Sequence, residues 1–390
     1  TEGGLMQAPL IAYKSLESFV LAAIPLFIFG AAILSRGKMG EQLYNVATKW
    51  VGHLPGGLAI ATAVAGAIFG AVCGSSTASA ATFGLIAIPI MLSRGYDKKL
   101  VYGTVAISGT LASMIPPSLG MILYGSVTDA SIGKLFMAGV VPGIMETITI
   151  SLLILYMCRG GRKHSPYPRA TWKERFLSLK AGIWALLAAL IILGGIYLGI
   201  FTPTEAAAVA VVYALLVTVF VLRTVGWKEM KEIITDSVKT TVMLLTIIIG
   251  ALILGHLFTY LHIPQKFMAA VSGLSPWTVM ILVNVLVIFL GCILEGASIT
   301  LITIPVVYPA LVALGFDPIW FGIVFTANLE LAMLTPPVGM NLFAIQGVTQ
   351  DRIAEIIRGT WPFMLLQLVN LAIVLAVPIL SLWLPSTMKW

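Results

Sequence analysis

The chain has 390 residues, of which 59% are hydrophobic and only 10% charged, with a mean hydropathy of +1.02. Soluble domains carry about 25% charged residues, so soluble enzymes and nucleic-acid binders are excluded and the chain is a multi-span membrane protein in a lipid bilayer. The net charge of +7 is then Lys and Arg held in cytoplasmic loops, not a polyanion-binding face.

The chain opens with Thr1 and has no basic-apolar-small leader, so its start is expected to be processed or cut from a longer product. Residues 1–17 are expected on the outward side, followed by a first span at 18–35 and an interfacial arm to residue 56. Run 57–93 is too long for one span and carries Gly74, Ser75, Ser76 and Thr77 at its middle, so it folds back as a hairpin. Run 100–128 is broken at Ile115-Pro116-Pro117-Ser118, where two prolines remove two amide donors and clash with the preceding turn. A span at 135–158 carries Glu146, which has no polar context and is expected to pair with a neighbour. A basic linker at 159–177 leads to plain apolar spans at 178–199, 204–222 and 238–258. Glu205, in Thr202-Pro203-Thr204-Glu205, is expected to cap a helix start. After a second arm reaching residue 275, run 276–312 is again over-long, with Glu295, Gly296 and Ser298 at its middle. Run 319–348 is broken at Thr335-Pro336-Pro337-Val338, and a last span covers 360–384. Cys73, Cys158 and Cys292 lack metal-ligand spacing and read as small buried hydrophobes. His53, His164, His256 and His262 share no mutual spacing.

These anomalies recur at one offset. Gly30-Ala31-Ala32-Ile33-Leu34 returns as Gly250-Ala251-Leu252-Ile253-Leu254, Gly95-Tyr96-Asp97 as Gly315-Phe316-Asp317, Pro116-Pro117 as Pro336-Pro337, and Gly139 with Pro142 as Gly359 with Pro362. All are 220 residues apart, which marks an internal duplication. Five crossings separate the first span from its counterpart at 238–258, and an odd number inverts the second copy. The expected fold is therefore an all-α polytopic membrane protein built from two inverted-topology repeats with helical hairpins and Pro-broken helices. One side receives 19 of the 23 Lys and Arg and is taken as cytoplasmic. That side holds the segments 36–50, 94–99, 159–177 and 223–237, and both termini face outward.

Inverted repeats with broken helices near the midplane are how secondary transporters build a site: unwound carbonyls hold a cation, and half-helix N-termini face an anion. Hydroxyl and carbonyl oxygens are concentrated at Ser75, Ser76, Ser79, Ser113 and Ser118, and again at Gly296, Ser298, Thr300 and Thr335. Such hard ligands suit a small alkali cation, although Gly, Ser and Thr also serve close helix packing. Carboxylates inside the membrane cost roughly 2.5 to 3.5 kcal/mol on insertion scales. Glu295 and Glu330, with Asn328 and Asn341 beside the second break, are accordingly expected to support the ion or substrate site.

Gly74-Ser75-Ser76-Thr77-Ala78, Ile115-Pro116-Pro117-Ser118, Ser131-Ile132-Gly133-Lys134-Leu135-Phe136, Phe201-Thr202-Pro203-Thr204-Glu205-Ala206 and Thr335-Pro336-Pro337-Val338-Gly339, in that order, resemble the large membrane subunit of tripartite ATP-independent periplasmic (TRAP) transporters. The resemblance runs from about residue 15 to 385. It departs from the family at Ser79, where many members carry Asp, and in starting after the position of the family's first span. It implies sodium-driven uptake of organic acids, typically carboxylates, across a bacterial or archaeal cytoplasmic membrane by an elevator motion. The implied partners are a periplasmic substrate-binding protein and a small four-helix membrane subunit, separate or fused; sodium ions are the coupling ions and no organic cofactor is implied. One sodium site would use Gly74, Ser75 and Ser76 with backbone around Ser113 and Pro116. Its counterpart would use Gly296 and Ser298 with backbone around Thr335 and Pro336. The substrate would lie between, near Thr77, Ser79, Ser118, Thr300 and Asn341. Segments 57–158 and 276–390 would form the mobile domain, and 18–56 with 178–275 the scaffold.

An inverted-repeat anion channel and a carboxylate/sodium symporter independent of a binding protein remain as alternatives. No ring of like charges or repeated carbonyl filter motif supports the channel. An intramembrane hydrolase is disfavoured, because no His or Asp partner lies at membrane depth beside Gly74 to Ser76.

Overall fold

The structure, a computed structural model, describes residues 9–13, 17, 19–159 and 167–388. Most of the 1–17 segment, linker residues 160–166, and Lys14, His164 and Lys389 lie outside them. The described residues contain helices and no strand. Helix α1 (Ala23–Arg36) bends by 62° into the arm α2 (Met39–Val51). Helices α3 (Gly57–Cys73) and α4 (Ser76–Ser93) form the first hairpin, and α5 (Lys98–Met114) and α6 (Leu119–Thr128) are the halves of the first broken helix. Helix α7 (Ile132–Cys158) completes the first repeat. Helices α8 (Trp172–Tyr197) and α9 (Pro203–Leu215, continued by a π-helical turn Leu216–Val221) lead to α10 (Trp227–Tyr260) and a short arm α11 (Ile263–Val271). The second hairpin is α12 (Pro276–Gly291) with α13 (Gly296–Ala313). The second broken helix is α14 (Pro318–Leu334) with α15 (Met340–Thr349), and α16 (Ile353–Ala376) and α17 (Ile379–Ser386) end the chain.

The duplication governs the helix boundaries. Ser76–Ser93 and Gly296–Ala313 start and stop 220 residues apart, as do Lys98–Met114 and Pro318–Leu334. The local chemistry is repeated too. Gly95 and Gly315 both take positive φ, at 80° and 89°, and each is followed by an Asp that caps the next helix. Asp97 accepts from the Lys99 amide at 2.7 Å, and Asp317 from the Ile319 and Trp320 amides at 2.8 and 2.9 Å; such caps contribute about 1 kcal/mol each. The Thr202–Glu205 capping box forms as expected, with the Thr202 amide donating to Glu205 at 2.8 Å.

Each hairpin packs on the broken helix of its own repeat, while α6 packs against α13 and α15 against α4, so the repeats exchange elements. Tyr124 of α6 lies edge-on to Tyr308 and Phe321 and donates its hydroxyl to Pro318 O at 2.7 Å. Helices α5 and α14 are buried on nearly every side, as helices at the centre of a bundle must be. By contrast α8 and α10 expose apolar faces, including Leu190, Val242 and Met243, in keeping with contact to lipid.

Helix α8 starts at Trp172, inside the expected linker 159–177, and α16 at Ile353, ahead of the expected 360; two further boundaries differ more. The polar segment 223–237 is not a loop beyond its first residues: helix α10 starts at Trp227, and the Gly226 amide is bonded by Glu229 at 3.0 Å. Hydropathy misses this turn-by-turn continuation because its outward face is charged. The run 360–384 is interrupted at Val377-Pro378, so that α17 is a separate short helix, because Pro378 has no amide to continue the ladder. Cys73 and Cys158 are buried and Cys292 half-buried, and none of the three forms a disulfide among the described residues.

Candidate functional site

The two hairpin tips are held open by equivalent devices. After α3 the chain turns at Gly74, whose φ is +63°; a Cβ there would stand 2.5 Å from Pro117 O. This close approach lets the Leu119 amide, just past the first Pro-Pro break, donate to Gly74 O at 3.3 Å. In the second repeat the Val338 amide donates to Cys292 O, also at 3.3 Å. Each hairpin tip is thus tied by one backbone bond to the unwound segment of its own broken helix. Behind the tips, Gly70 of α3 sits on Ala112 and Gly291 of α12 on Ala332, where a Cβ would clash at 2.8 and 2.3 Å; small residues permit this approach of backbones.

Helices α4 and α13 start at these tips and aim their N-terminal turns into one cavity of about 780 Å³. Ser75 to Ala78 and Glu295 to Ser298 line it from the hairpins, and Ser113 from the end of α5. The opposite wall comes from α1 and α10: Ile24, Ala31 and Ser35 on one, Ser237, Thr240 and Ile247 on the other. Arg36 and Asp236 also line it, paired at 3.4 Å, with Glu232 bonded to the same guanidinium at 3.2 Å. A helix N-terminus carries about half a positive charge, and two of them face the cavity, while the charge of Arg36 is already met by Asp236 and Glu232.

The tip hydroxyls are close-set. Ser76 Oγ and Ser113 Oγ stand 2.6 Å apart, and Ser75 Oγ stands 3.4 Å from both Thr77 Oγ1 and the Ala78 amide. The second tip is built differently. Its helix-capping position, equivalent to Ser75, is Glu295, and the position equivalent to Ser113 is Met333, whose methyl would meet a Cβ on Gly296 at 2.8 Å. Among the expected sodium ligands, Gly74, Ser75, Ser76, Ser113, Gly296 and Ser298 therefore reach the cavity wall, whereas Pro116, Thr335 and Pro336 do not. Thr335 turns its hydroxyl back to Leu331 O at 2.7 Å.

The expected substrate set divides. Thr77 lines the cavity, while Ser79, Ser118, Thr300 and Asn341 are buried behind it. Thr300 Oγ1 donates to Gly296 O at 2.8 Å and Asn341 Nδ2 to Ala106 O at 3.0 Å; the hydroxyls of Ser79 and Ser118 have no partner among the described residues. The cavity is also lined farther along α4 by Ala81 and Thr82, so Ser79 and Thr300 miss it because they lie on the inward faces of their helices. Of the supporting polar group, Glu295 is at the cavity, whereas Asn328 and Glu330 face the interior of the bundle, Asn328 bonded to Asn284 at 2.5 Å and Glu330 to Gln367 at 2.5 Å. The scaffold residues Ser35, Arg36, Asp236 and Thr240 were not among the expected site residues. Ser35 and Thr240 are polar side chains in otherwise apolar spans, a signal that could have found them, whereas Arg36 and Asp236 lie in the polar segments 36–50 and 223–237 and carried no such signal.

The comparisons with known proteins fall into line with this architecture. Residues 5–380 match the family model of the tripartite ATP-independent periplasmic transporter, DctM component. The chain is 40% identical over 376 residues to the C4-dicarboxylate TRAP transporter large permease protein DctM of Pseudomonas aeruginosa, spanning 96% of this chain and 88% of that protein. It is 34% identical to the isethionate TRAP transporter permease protein DctMQ of Oleidesulfovibrio alaskensis, covering 96% of this chain and 59% of that longer protein. Among solved structures, the YdaH transporter of Alcanivorax borkumensis superimposes with a TM-score of 0.56 at 16% identity, over 95% of this chain and 88% of that one; this likeness concerns the fold alone.

Proposed function

The chain belongs to the DctM family as the large membrane subunit of a TRAP transporter, and from that premise we propose that it imports organic acids by coupling them to sodium. The carrying observation is the single cavity into which both hairpin tips and both half-helix N-termini open. The helix ends favour the substrate's negative charge, and the tip hydroxyls and carbonyls supply hard oxygens for sodium. The Ser76–Ser113 pair, with Ser75 and Gly74, forms the better-furnished cation position; Gly296 and Ser298 with Glu295 form the other. The names of the relatives point to small organic anions, C4-dicarboxylate and isethionate, and a cavity of about 780 Å³ leaves ample room for such a molecule with water.

In this reading the protein lies in the cytoplasmic membrane with Arg36, Lys98 and Arg223 on the cytoplasmic side, and the cavity leads toward that side, where the Arg36–Asp236 pair stands at its edge. The hairpins and broken helices move together against α1, α8, α9 and α10. A periplasmic binding protein delivers the substrate, and a small membrane subunit, fused in relatives such as DctMQ, braces the scaffold.

The test is uptake into proteoliposomes containing this subunit, its small subunit and the binding protein, with a labelled C4-dicarboxylate. Saturable uptake that needs an inward sodium gradient and the binding protein is expected. Uptake unchanged when potassium replaces sodium, or flux that rises linearly without saturation, would overturn the proposal in favour of an uncoupled route or a channel.

A further inference from the structure

Away from the cavity, the bundle interior holds two carboxyl groups for which the transport reading has no use. Glu146 on α7 and Glu330 on α14 are fully buried, and one side chain holds both: Gln367 Nε2 on α16 donates to Glu146 Oε1 at 3.0 Å and to Glu330 Oε2 at 2.5 Å. A chain behind it sets the direction of that amide. Thr149 Oγ1 donates to Asn370 Oδ1 at 3.0 Å, and Asn370 Nδ2 to Gln367 Oε1 at 3.3 Å. Gln367 thus has its oxygen occupied and both N–H bonds committed to the carboxyl groups. Glu146 and Gln367 are 221 residues apart, as are Thr149 and Asn370. The separation is one more than the repeat offset, so α7 and α16, the corresponding helices of the two repeats, face each other here one residue out of exact equivalence.

The leftover atoms are Glu146 Oε2 and Glu330 Oε1, both sealed from solvent and without a hydrogen-bond partner among the described residues. Reached by one nitrogen at 3.0 and 2.5 Å, the two carboxyl groups stand side by side. Ionised carboxylates only accept, so two of them in contact would repel at membrane depth, where charge is least tolerated. Among the described residues no basic group answers them. On the elements packed against α7 and α14, helices α12, α15 and α17 carry no titratable side chain. Lys98, Lys99 and Tyr102 stand in the opening turns of α5, at the end opposite Met114, which is the residue beside Glu330. Glu355 and Arg358 stand in the first turns of α16, Arg358 nine residues before Gln367, about 13 Å along the axis. On α7, Lys134 precedes Glu146 by twelve residues, and Tyr156 and Cys158 follow it by ten and twelve. Helix α8 keeps Lys173, Glu174, Arg175 and Lys180 near its start and Tyr197 at its end. Cys73 belongs to the hairpin tip, and Tyr124 and Tyr308 face each other, with Tyr124 bonded to Pro318 O.

We propose that Glu146 and Glu330 form a proton-binding site, in which one carboxyl group donates a resident proton to the other between Glu146 Oε2 and Glu330 Oε1. The proton supplies the donor both oxygens lack, and the remaining negative charge is spread over the pair under the two N–H bonds of Gln367. Its ligand is a proton taken from water, distinct from the cations expected at the hairpin tips. A Gln at position 330 imitates the protonated pair, since its amide can donate to Glu146 Oε2 without any titration.

Infrared difference spectroscopy on the purified full-length protein in lipid tests this directly. Wild type is expected to show the carbonyl stretch of a buried carboxylic acid in sodium-free buffer, and Glu146→Gln/Glu330→Gln to lose it. Thermal unfolding gives the second readout, needed if the double variant does not fold. Wild type should lose melting temperature in a step as alkaline pH strips the proton, and Glu330→Gln should melt without that step. Absence of the acid band from wild type, its persistence in the double variant, its appearance only with sodium present, or an unchanged alkaline step in Glu330→Gln would each overturn the site. None of these outcomes depends on uptake, so failure here leaves the transport reading standing, and the reverse also holds.

Discussion

Ser76 and Ser298 face the same cavity from the first turns of α4 and α13, but their surroundings differ. Ser76 shares a 2.6 Å contact with Ser113, so a sodium ion seated there gains two hydroxyl oxygens at once. Ser298 has Glu295 and Gly296 beside it and Met333 where the second hydroxyl would be. Hydrogen bonds and similar contacts to a charged group are worth about 1.5–3 kcal/mol, so Ser76→Ala and Ser298→Ala are each expected to raise the sodium concentration for half-maximal uptake by roughly tenfold or more. Sodium titration of uptake is the measurement, and wild-type activation in both variants would dismiss these ligands. Residues of this kind were legible because each sits beside a break that the sequence marks with Gly or Pro. Glu146 was not, since its partners Gln367 and Glu330 lie 221 and 184 residues away and only the folded repeats bring them together. For the same reason Ser79, Ser118, Thr300 and Asn341 could not be told from cavity residues: side-chain type was visible, but the face it occupies was not.

The hairpins depend on a backbone conformation at their tips. At Gly74 the positive φ and the 2.5 Å approach to Pro117 O act together; a Cβ there must push apart α3 and the first break. Gly315 also has positive φ, 89°, but open space around its Cβ position. Left-handed backbone costs a non-glycine residue roughly 1–2 kcal/mol, which is all that Gly315→Ala should lose. Gly74→Ala is expected to lose more, because a backbone carbonyl cannot step aside cheaply, and to reduce uptake as well by displacing the tip. Thermal unfolding of the two variants side by side checks this, and equal losses would show that the tip is not held by the Pro117 contact. At this scale the sequence foretold both hairpins and both breaks, since glycine and paired prolines act locally. It did not foretell the extension of α10 back to Trp227 or the stop at Val377, because a charged helical face and a single proline within an apolar run look like a loop and a continuous span.

Across the whole molecule, the offset of 220 residues carried through to helix boundaries and caps, and each hairpin tip keeps a backbone bond to its own break at a register shifted by one or two residues. A duplication constrains backbone geometry strongly, so its architecture was readable early. The proposed division into a moving part and a fixed part is a claim about mechanics, and under it the cavity would sit on the seam, since hairpin tips form one wall and α1 and α10 the other. One polar contact crosses that seam at a position suited to a test: Ser35 Oγ of α1 lies 3.2 Å from Thr82 Oγ1 of α4. If the hairpins carry substrate past α1, this pair must separate in every cycle. The decisive measurement is sodium-driven uptake by Ser35→Cys/Thr82→Cys, in a background with Cys73, Cys158 and Cys292 replaced, before and after oxidation. Uptake should vanish when the disulfide forms and return on reduction, whereas full uptake with the crosslink intact would contradict an elevator built from these repeats.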